Sequence, residues 1–265
     1  MSDYKILKPE VFSLPLCLDC GQAFRWEEKD GAFYGVAFGK FLKIEEKNGE
    51  LIFYGTSEED FEKIWKPYFD LDTDYKGIIE KYNEENLVKA VTAYNGIRIL
   101  RQEPWEALCS FIISQNNNIP RIKGIVSRLC ENFGKKAGDG FTFPSAEKLA
   151  VLTPEELAPL RAGFRAKYII DAAQKVAGGS VDFKKIEENS IEFGREELQK
   201  IKGVGAKVAE CTLLYGFHKL TAFPVDVWVK RIMAEMYPSG LPACMEGTEG
   251  IAQQYLFHYR RNIDK

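Results

Sequence analysis

Between about Gln22 and Thr56 aromatic and polar residues alternate, and Asp30-Gly31 and Asn48-Gly49 interrupt the alternation. Such pairs accept the positive φ that tight hairpin turns require, so the pattern predicts antiparallel hairpins in a small β domain. After Thr56 the spacing becomes helical, over Phe61 to Tyr68, Tyr75 to Tyr82, Leu87 to Tyr94, Trp105 to Ser114 and Ile119 to Phe133. Thr153-Pro154-Glu155-Glu156 has the form of a capping box with proline at the first helical position, and predicts another helix starting there. Further helices are expected over Ala166 to Val176, Glu196 to Ile201, Ala206 to Phe217, Val227 to Tyr237 and Glu249 to Arg260. The expected class is α+β: an N-terminal antiparallel β domain with flanking helices over residues 1–95, then a mainly helical body over residues 96–265. No internal repeat or low-complexity linker divides the body, so its two helical halves are expected to enclose a cleft.

Within the helical part, Gly203-Val204-Gly205 separates two apolar patterns, Leu198 and Ile201 before it and Val208, Ala209, Leu213 and Leu214 after it. This is the arrangement of a helix-hairpin-helix, spanning about residues 195–217. The glycines permit positive φ and leave the backbone unshielded, while the unpaired N–H groups of the second helix favour an anion. Such a hairpin would hold a DNA phosphate without reading sequence. For Gly-Val-Gly alone an ordinary αα-turn with a glycine C-cap is the better reading, so the neighbouring residues decide.

Lys207 falls in the first turn of the second helix, where the dipole disfavours an ammonium and so favours a neutral, nucleophilic amine. Cys211 lies four residues on, on the same helical face. Asp226 follows Phe223-Pro224-Val225 and is expected to cap the next helix. Taken singly, Asp226 reads as a plain N-cap and Cys211 as a buried thiol.

The segments IKGVGAKVAEC and FPVDVWVKR resemble the helix-hairpin-helix DNA glycosylase superfamily, and specifically the 8-oxoguanine DNA glycosylase/AP lyases. Gly21-Gln22-Ala23-Phe24-Arg25-Trp26, Ser114-Gln115-Asn116-Asn117-Asn118-Ile119, Phe164-Arg165-Ala166-Lys167-Tyr168 and Gly250 through Phe257 resemble further family elements in the family's order. The resemblance implies a repair enzyme that flips 8-oxoguanine out of duplex DNA, opposite cytosine, and excises it through a lysine Schiff base with associated β-elimination. It implies Lys207 as nucleophile, Asp226 as its carboxylate, and Gly21, Cys211, Gln253 and Phe257 as base-recognition residues, with a Lys207-ammonium and Cys211-thiolate pair as a dipole for the oxidised base. Asn116 would fill the gap, Arg121 and Arg165 would donate to the orphaned cytosine, and Phe164, Gly203, Gly205 and Trp228 would contact DNA. Phe164 stands where better-known members carry tyrosine, and Trp228 where many carry histidine. No cofactor is implied, save that the hairpin carbonyls can hold a structural cation.

Composition narrows the alternatives. A net charge of −3 counts against a protein that coats DNA, so its DNA surface must be local, drawn from Arg121, Lys123, Arg128, Arg165, Lys167, Lys202, Lys230 and Arg231. Six scattered cysteines, with Cys17-Leu18-Asp19-Cys20 the only CxxC, argue for reduced thiols rather than disulfides or zinc. The four closely spaced C-terminal cysteines of the iron–sulfur glycosylases are missing. With no long apolar run and no signal-peptide core, no membrane association is expected, and the protein should be a cytoplasmic (nucleoid-associated) or nuclear monomer. Two other readings are a noncatalytic damaged-DNA binder and a glycosylase of the same fold for another damaged base. The coexistence of Lys207 and Asp226 argues against the first, and Gly21, Gln253 and Phe257 against the second.

Overall fold

The computed structural model describes residues 3–262. Strands Tyr4–Leu7 (β1), Trp26–Lys29 (β2), Ala32–Ala37 (β3), Lys40–Lys47 (β4) and Glu50–Tyr54 (β5) form one antiparallel sheet in the order β1-β5-β4-β3-β2. Its three hairpin turns, Asp30-Gly31, Phe38-Gly39 and Asn48-Gly49, place every residue at a φ between 50° and 78°. That geometry matches the twist of the flanking strands. The Asp-Gly and Asn-Gly turns follow the sequence expectation; the Phe38 turn does not. Phe38 is held there by its N–H, which donates to Glu103 Oε2 at 3.0 Å, and by its ring, edge-on to Tyr68. Strand β1 is also beyond the expectation, because four residues give too short an alternation to read.

Alternation along β4 and β5 turns Leu42, Ile44, Leu51 and Phe53 onto one face, where they pack with Trp26, Trp65 and Phe69. Helix α1 (Leu14–Leu18) and the segment made of α2 (Glu58–Asp60), a π-helical stretch Phe61–Trp65 and α3 (Lys66–Tyr68) cover that face.

The remainder contains α4 (Tyr75–Ile79), α5 (Glu85–Ala93), α6 (Pro104–Ser114), α7 (Ile119–Phe133), α8 (Ala146–Ala150), α9 (Arg165–Ala177) and α10 (Phe183–Glu188). It closes with α11 (Ile191–Gln199), α12 (Ala206–Tyr215), α13 (Val227–Met236) and α14 (Glu249–Asn262), while a two-stranded ribbon, β6 (Lys136–Ala137) and β7 (Gly140–Phe141), follows α7. Side-chain caps set many of the starts: Asn118 for α7, Ser145 for α8, Asp182 for α10 and Ser190 for α11. The Ser190 cap begins α11 at Ile191, five residues before the expected start.

Thr153-Pro154-Glu155-Glu156 corrects one expectation. The reciprocal capping bonds form, Thr153 N to Glu156 Oε2 at 2.8 Å and Glu156 N to Thr153 Oγ1 at 3.4 Å, yet only a 3₁₀ turn, Ala158–Leu160, follows. Pro159 has no N–H for the Glu155 carbonyl and its ring crowds it, so an α-helix cannot continue. Helices α1, α8 and α10, with five, five and six residues, were not expected from spacing.

Buried polar groups tie the segments around the sheet to the helical body. Gln22, fully buried, donates from Nε2 to the carbonyls of Cys17 and Arg98 and accepts at Oε1 from Leu100 N. Asp70, 1% exposed, accepts from Thr73, Tyr75 and Arg101 and meets His218 Nε2 at 3.0 Å. Among the described residues no helix is long and apolar enough to cross a membrane.

Candidate active site

The Gly-Val-Gly segment links α11 to α12 as a hairpin. Gly203 has φ +79°, and a Cβ there would overlap the Tyr168 ring, whose Cγ would lie 2.5 Å away. Gly205 differs from the expectation: it is extended, with φ −95° and ψ −177°, and a Cβ there would meet nothing. Neither backbone conformation nor packing in the turn therefore requires a glycine at 205. Helix α9 pins the hairpin from behind: Asp171 Oδ2 accepts from Lys202 N at 2.7 Å, and Lys175 Nζ donates to the Lys200 carbonyl at 2.6 Å.

Lys207 stands half-buried in the first turn of α12. Its Nζ donates to Ser114 Oγ at 3.0 Å and lies 5.0 Å from the Phe111 ring centroid. Helical spacing places Cys211 and Tyr215 on the same side of α12, and all three line a cavity of about 50 Å³ with Gly21, Phe111, Pro224, Asp226, Gln253, Gln254 and Phe257. That volume admits only a few waters, so the cavity must widen to take a base.

Asp226 is the N-cap of α13, as its position after Pro224 implies, and its Oδ1 accepts from Trp228 N and Val229 N, both at 2.9 Å. Both bonds use one oxygen, which leaves Oδ2 without a hydrogen-bond donor among the described residues. Gln253, 5% exposed, donates from Nε2 to the Pro224 carbonyl at 3.2 Å, and its Oε1 has no partner among the described residues. Gly21 has φ +94°, and a Cβ there would sit 3.9 Å from the Phe257 ring. The Gln22 bonds described above hold this glycine against the cavity.

Burial pushes the Cys211 thiol up to about 11, outweighing the opposing charge and hydrogen bond of Lys207. Burial thus opposes the thiolate of an ammonium–thiolate pair at this position, while Lys207 favours it.

Asn116, Phe164 and Trp228 do not line the cavity. Asn116 is exposed and left-handed at φ +47°, at the tip of the turn between α6 and α7. Phe164 is 46% exposed, its ring covered on one side by the Arg165 guanidinium at 4.5 Å. Trp228 stacks with Arg231, whose guanidinium carbon lies 5.2 Å from the ring centroid.

Arg165 is held by backbone carbonyls. It is 3% exposed, and it donates from Nε and Nη2 to the Gln115 carbonyl, from Nη2 to Asn116 O at 2.9 Å and from Nη1 to Ala162 O at 3.2 Å. Four of its five N–H groups are thereby engaged, so it braces the Asn116 turn with little left to give a base. Arg121 is exposed on the first turn of α7, and its backbone N–H donates to Asn118 Oδ1 at 3.0 Å. Of the other expected cations, Lys123 pairs with Asp19 and Arg128 donates to Leu160 O, whereas Lys167, Lys202, Lys230 and Arg231 are exposed.

Phe111, Ser114 and Tyr215 carried no assigned role in the sequence. Tyr215 continues the 207, 211 spacing by four, a signal that could have found it; Phe111 and Ser114 come from a different helix and had none. A larger cavity, about 530 Å³, lies between the sheet, α7 and the β6–β7 ribbon, lined by Arg25, Glu27, Lys123 and Glu131 among others. Its thiol, Cys130, is pushed up to about 12 by burial and stays protonated.

A phosphate-ready hairpin delivering a lysine to a cavity, opposite a helix-capping aspartate, defines the helix-hairpin-helix class of base excision DNA repair enzymes. Residues 5–108 match the N-terminal domain of 8-oxoguanine DNA glycosylase and residues 109–242 the HhH-GPD superfamily of base excision DNA repair proteins. The chain belongs to this family of DNA repair glycosylases. An N-glycosylase/DNA lyase of Saccharomyces cerevisiae is 34% identical over 88% of this chain and 72% of its own length. A probable N-glycosylase/DNA lyase of Methanothermobacter thermautotrophicus is 28% identical over 86% and 83%. The structure of Clostridium acetobutylicum 8-oxoguanine glycosylase/lyase with dsDNA containing cytosine opposite to 8-oxoG superposes with a TM-score of 0.93, at 36% identity, covering 100% of this chain and 97% of that one.

Proposed function

We propose that the protein removes 8-oxoguanine from duplex DNA, opposite cytosine, using Lys207 as nucleophile, and then cleaves the strand by β-elimination. The observation that carries this reading is the convergence of Lys207, Asp226, Gly21, Gln253 and Phe257 on one cavity. Similarity to the Clostridium acetobutylicum enzyme supports the choice of lesion and of opposite base.

The target base must leave the stack, at a cost of a few kcal/mol. Gln253 would exchange its Pro224 partner for the base edge, Phe257 would stack on the base, and the backbone at Gly21 would accept the hydrogen that 8-oxoguanine carries on N7. The Lys207 amine attacks C1′; the N–C1′ bond forms, the glycosidic bond breaks, and its electron pair leaves with the base, which takes the proton the nitrogen sheds. Positive charge develops at C1′ along the way, and the Asp226 carboxylate, fixed by two backbone N–H groups, stabilises it. Opening of the C1′–O4′ bond gives an iminium, which acidifies C2′; loss of that proton expels the 3′ phosphate. Gly203, Gly205 and the first turn of α12 would hold a backbone phosphate, and Asn116 would enter the gap. The hairpin carbonyls are a proposed seat for a structural cation.

Base release from duplexes carrying 8-oxoguanine, 3-methyladenine or undamaged guanine opposite cytosine tests this. Release of 8-oxoguanine alone is expected. Binding without any release would favour a damage-binding protein, and preferential release of 3-methyladenine would move the substrate to alkylated bases.

A further inference from the structure

We infer that Ser114 is a positioning residue for the nucleophile, orienting the Lys207 amine toward C1′. This rests on Lys207 acting as proposed above. Ser114 is the last residue of α6, and its Oγ donates to the Phe111 carbonyl at 2.8 Å. A hydroxyl has one hydrogen, so toward Lys207 Nζ, 3.0 Å away, Ser114 can only accept.

The consequence follows from the shape of an amine. Neutral Nζ carries two N–H groups and one lone pair, and free rotation about Cε–Nζ would sweep the lone pair over directions that cannot reach a sugar. An N–H held by Ser114 Oγ restricts that rotation. The other neighbours of Nζ share the work unevenly: the Phe111 ring face, 5.0 Å away, favours a cation but fixes no direction, and the Cys211 thiol is a weak partner. Ser114 is thus the directional contact, and because it precedes the Asn116 turn, it ties the amine's aim to the segment that enters the DNA gap. Arg165 holds the same turn through the carbonyls of Gln115 and Asn116. The Asn116 turn and the orientation of the nucleophile are therefore linked through one residue.

Single-turnover borohydride trapping at saturating protein, run beside equilibrium binding to the same 8-oxoguanine duplex, tests this with Ser114→Ala, Ser114→Thr and Lys207→Gln. Removing one directional acceptor should slow trapping by about tenfold in Ser114→Ala while binding changes less than about twofold. Ser114→Thr, which keeps the hydroxyl, should trap within about threefold of the parent. Trapping by Ser114→Ala at the parent's rate, equal slowing in the alanine and threonine variants, or a loss confined to binding would overturn the inference. Lys207→Gln separates the two ideas: if it still traps, the Lys207 reading fails; if it is silent and Ser114→Ala is unimpaired, only the Ser114 role fails.

Discussion

Gly203 lies against the ring of Tyr168 so closely that no other residue fits: a Cβ would meet the ring at 2.5 Å, and the backbone is left-handed besides. Two residues on, Gly205 is extended and a Cβ there would meet nothing. The fold therefore requires glycine at 203 and not at 205.

Alanine at each should separate them. Gly203→Ala is expected to lose about 2 kcal/mol or more, from strain and overlap together. Gly205→Ala should stay within about 1 kcal/mol of the parent but bind duplex DNA about tenfold more weakly, because its Cβ occupies the space where a phosphate approaches. Urea unfolding and DNA titration of both variants check this; equal stability of the two would contradict it.

Arg165 braces the Asn116 turn from beneath, so Arg165→Ala should loosen that turn and leave carbonyls unpaired, costing about 2 kcal/mol or more. The loss of DNA affinity should be similar opposite cytosine, thymine and adenine. A loss confined to cytosine would instead show that Arg165 reads the orphaned base. Lysine should not rescue, since an ammonium cannot reproduce the guanidinium fork.

Burial opposes the charge on Asp70, but the hydrogen bond and charge of His218, with Thr73 and Arg101, hold its carboxyl down at about 2. A depressed carboxylate stabilises the fold above its ordinary range near pH 4, and the contribution is lost as pH falls through about 2. Asp70→Asn should thus be less stable than the parent by roughly 2 kcal/mol at pH 6, the gap closing between pH 4 and pH 2. Unfolding midpoints across that range measure it; a gap independent of pH would contradict the pairing.

The Cys211 thiol, pushed up to about 11 and 3% exposed, should resist alkylation at neutral pH. Its reaction rate with iodoacetamide should keep rising to pH 10 rather than level off near pH 8. A plateau below pH 9 would restore the thiolate reading.

Local chemistry decides how much of this was legible in the sequence. The Asp-Gly and Asn-Gly turns, the Asp226 cap and the 207, 211 and 253, 257 pairs each rest on residues close in the chain, and each took its expected place. Pro159 is equally local: it stops the helix that the capping box before it would otherwise start. Ser114 and Phe111 reach the amine from α6, nearly a hundred residues away, where no spacing rule operates. The backbone partners of Arg165 were not legible, because a sequence does not reveal which carbonyls a buried guanidinium will find.

The most direct measurement is borohydride trapping of the parent and Lys207→Gln on a duplex containing 8-oxoguanine opposite cytosine, with an undamaged duplex beside it. Borohydride reduces an iminium to a stable amine, so a covalent protein–DNA species is expected from the parent on the lesion duplex only, while Lys207→Gln binds the lesion and forms none. A covalent species from Lys207→Gln, or none from a parent that releases the base, would contradict the assignment of Lys207 as nucleophile.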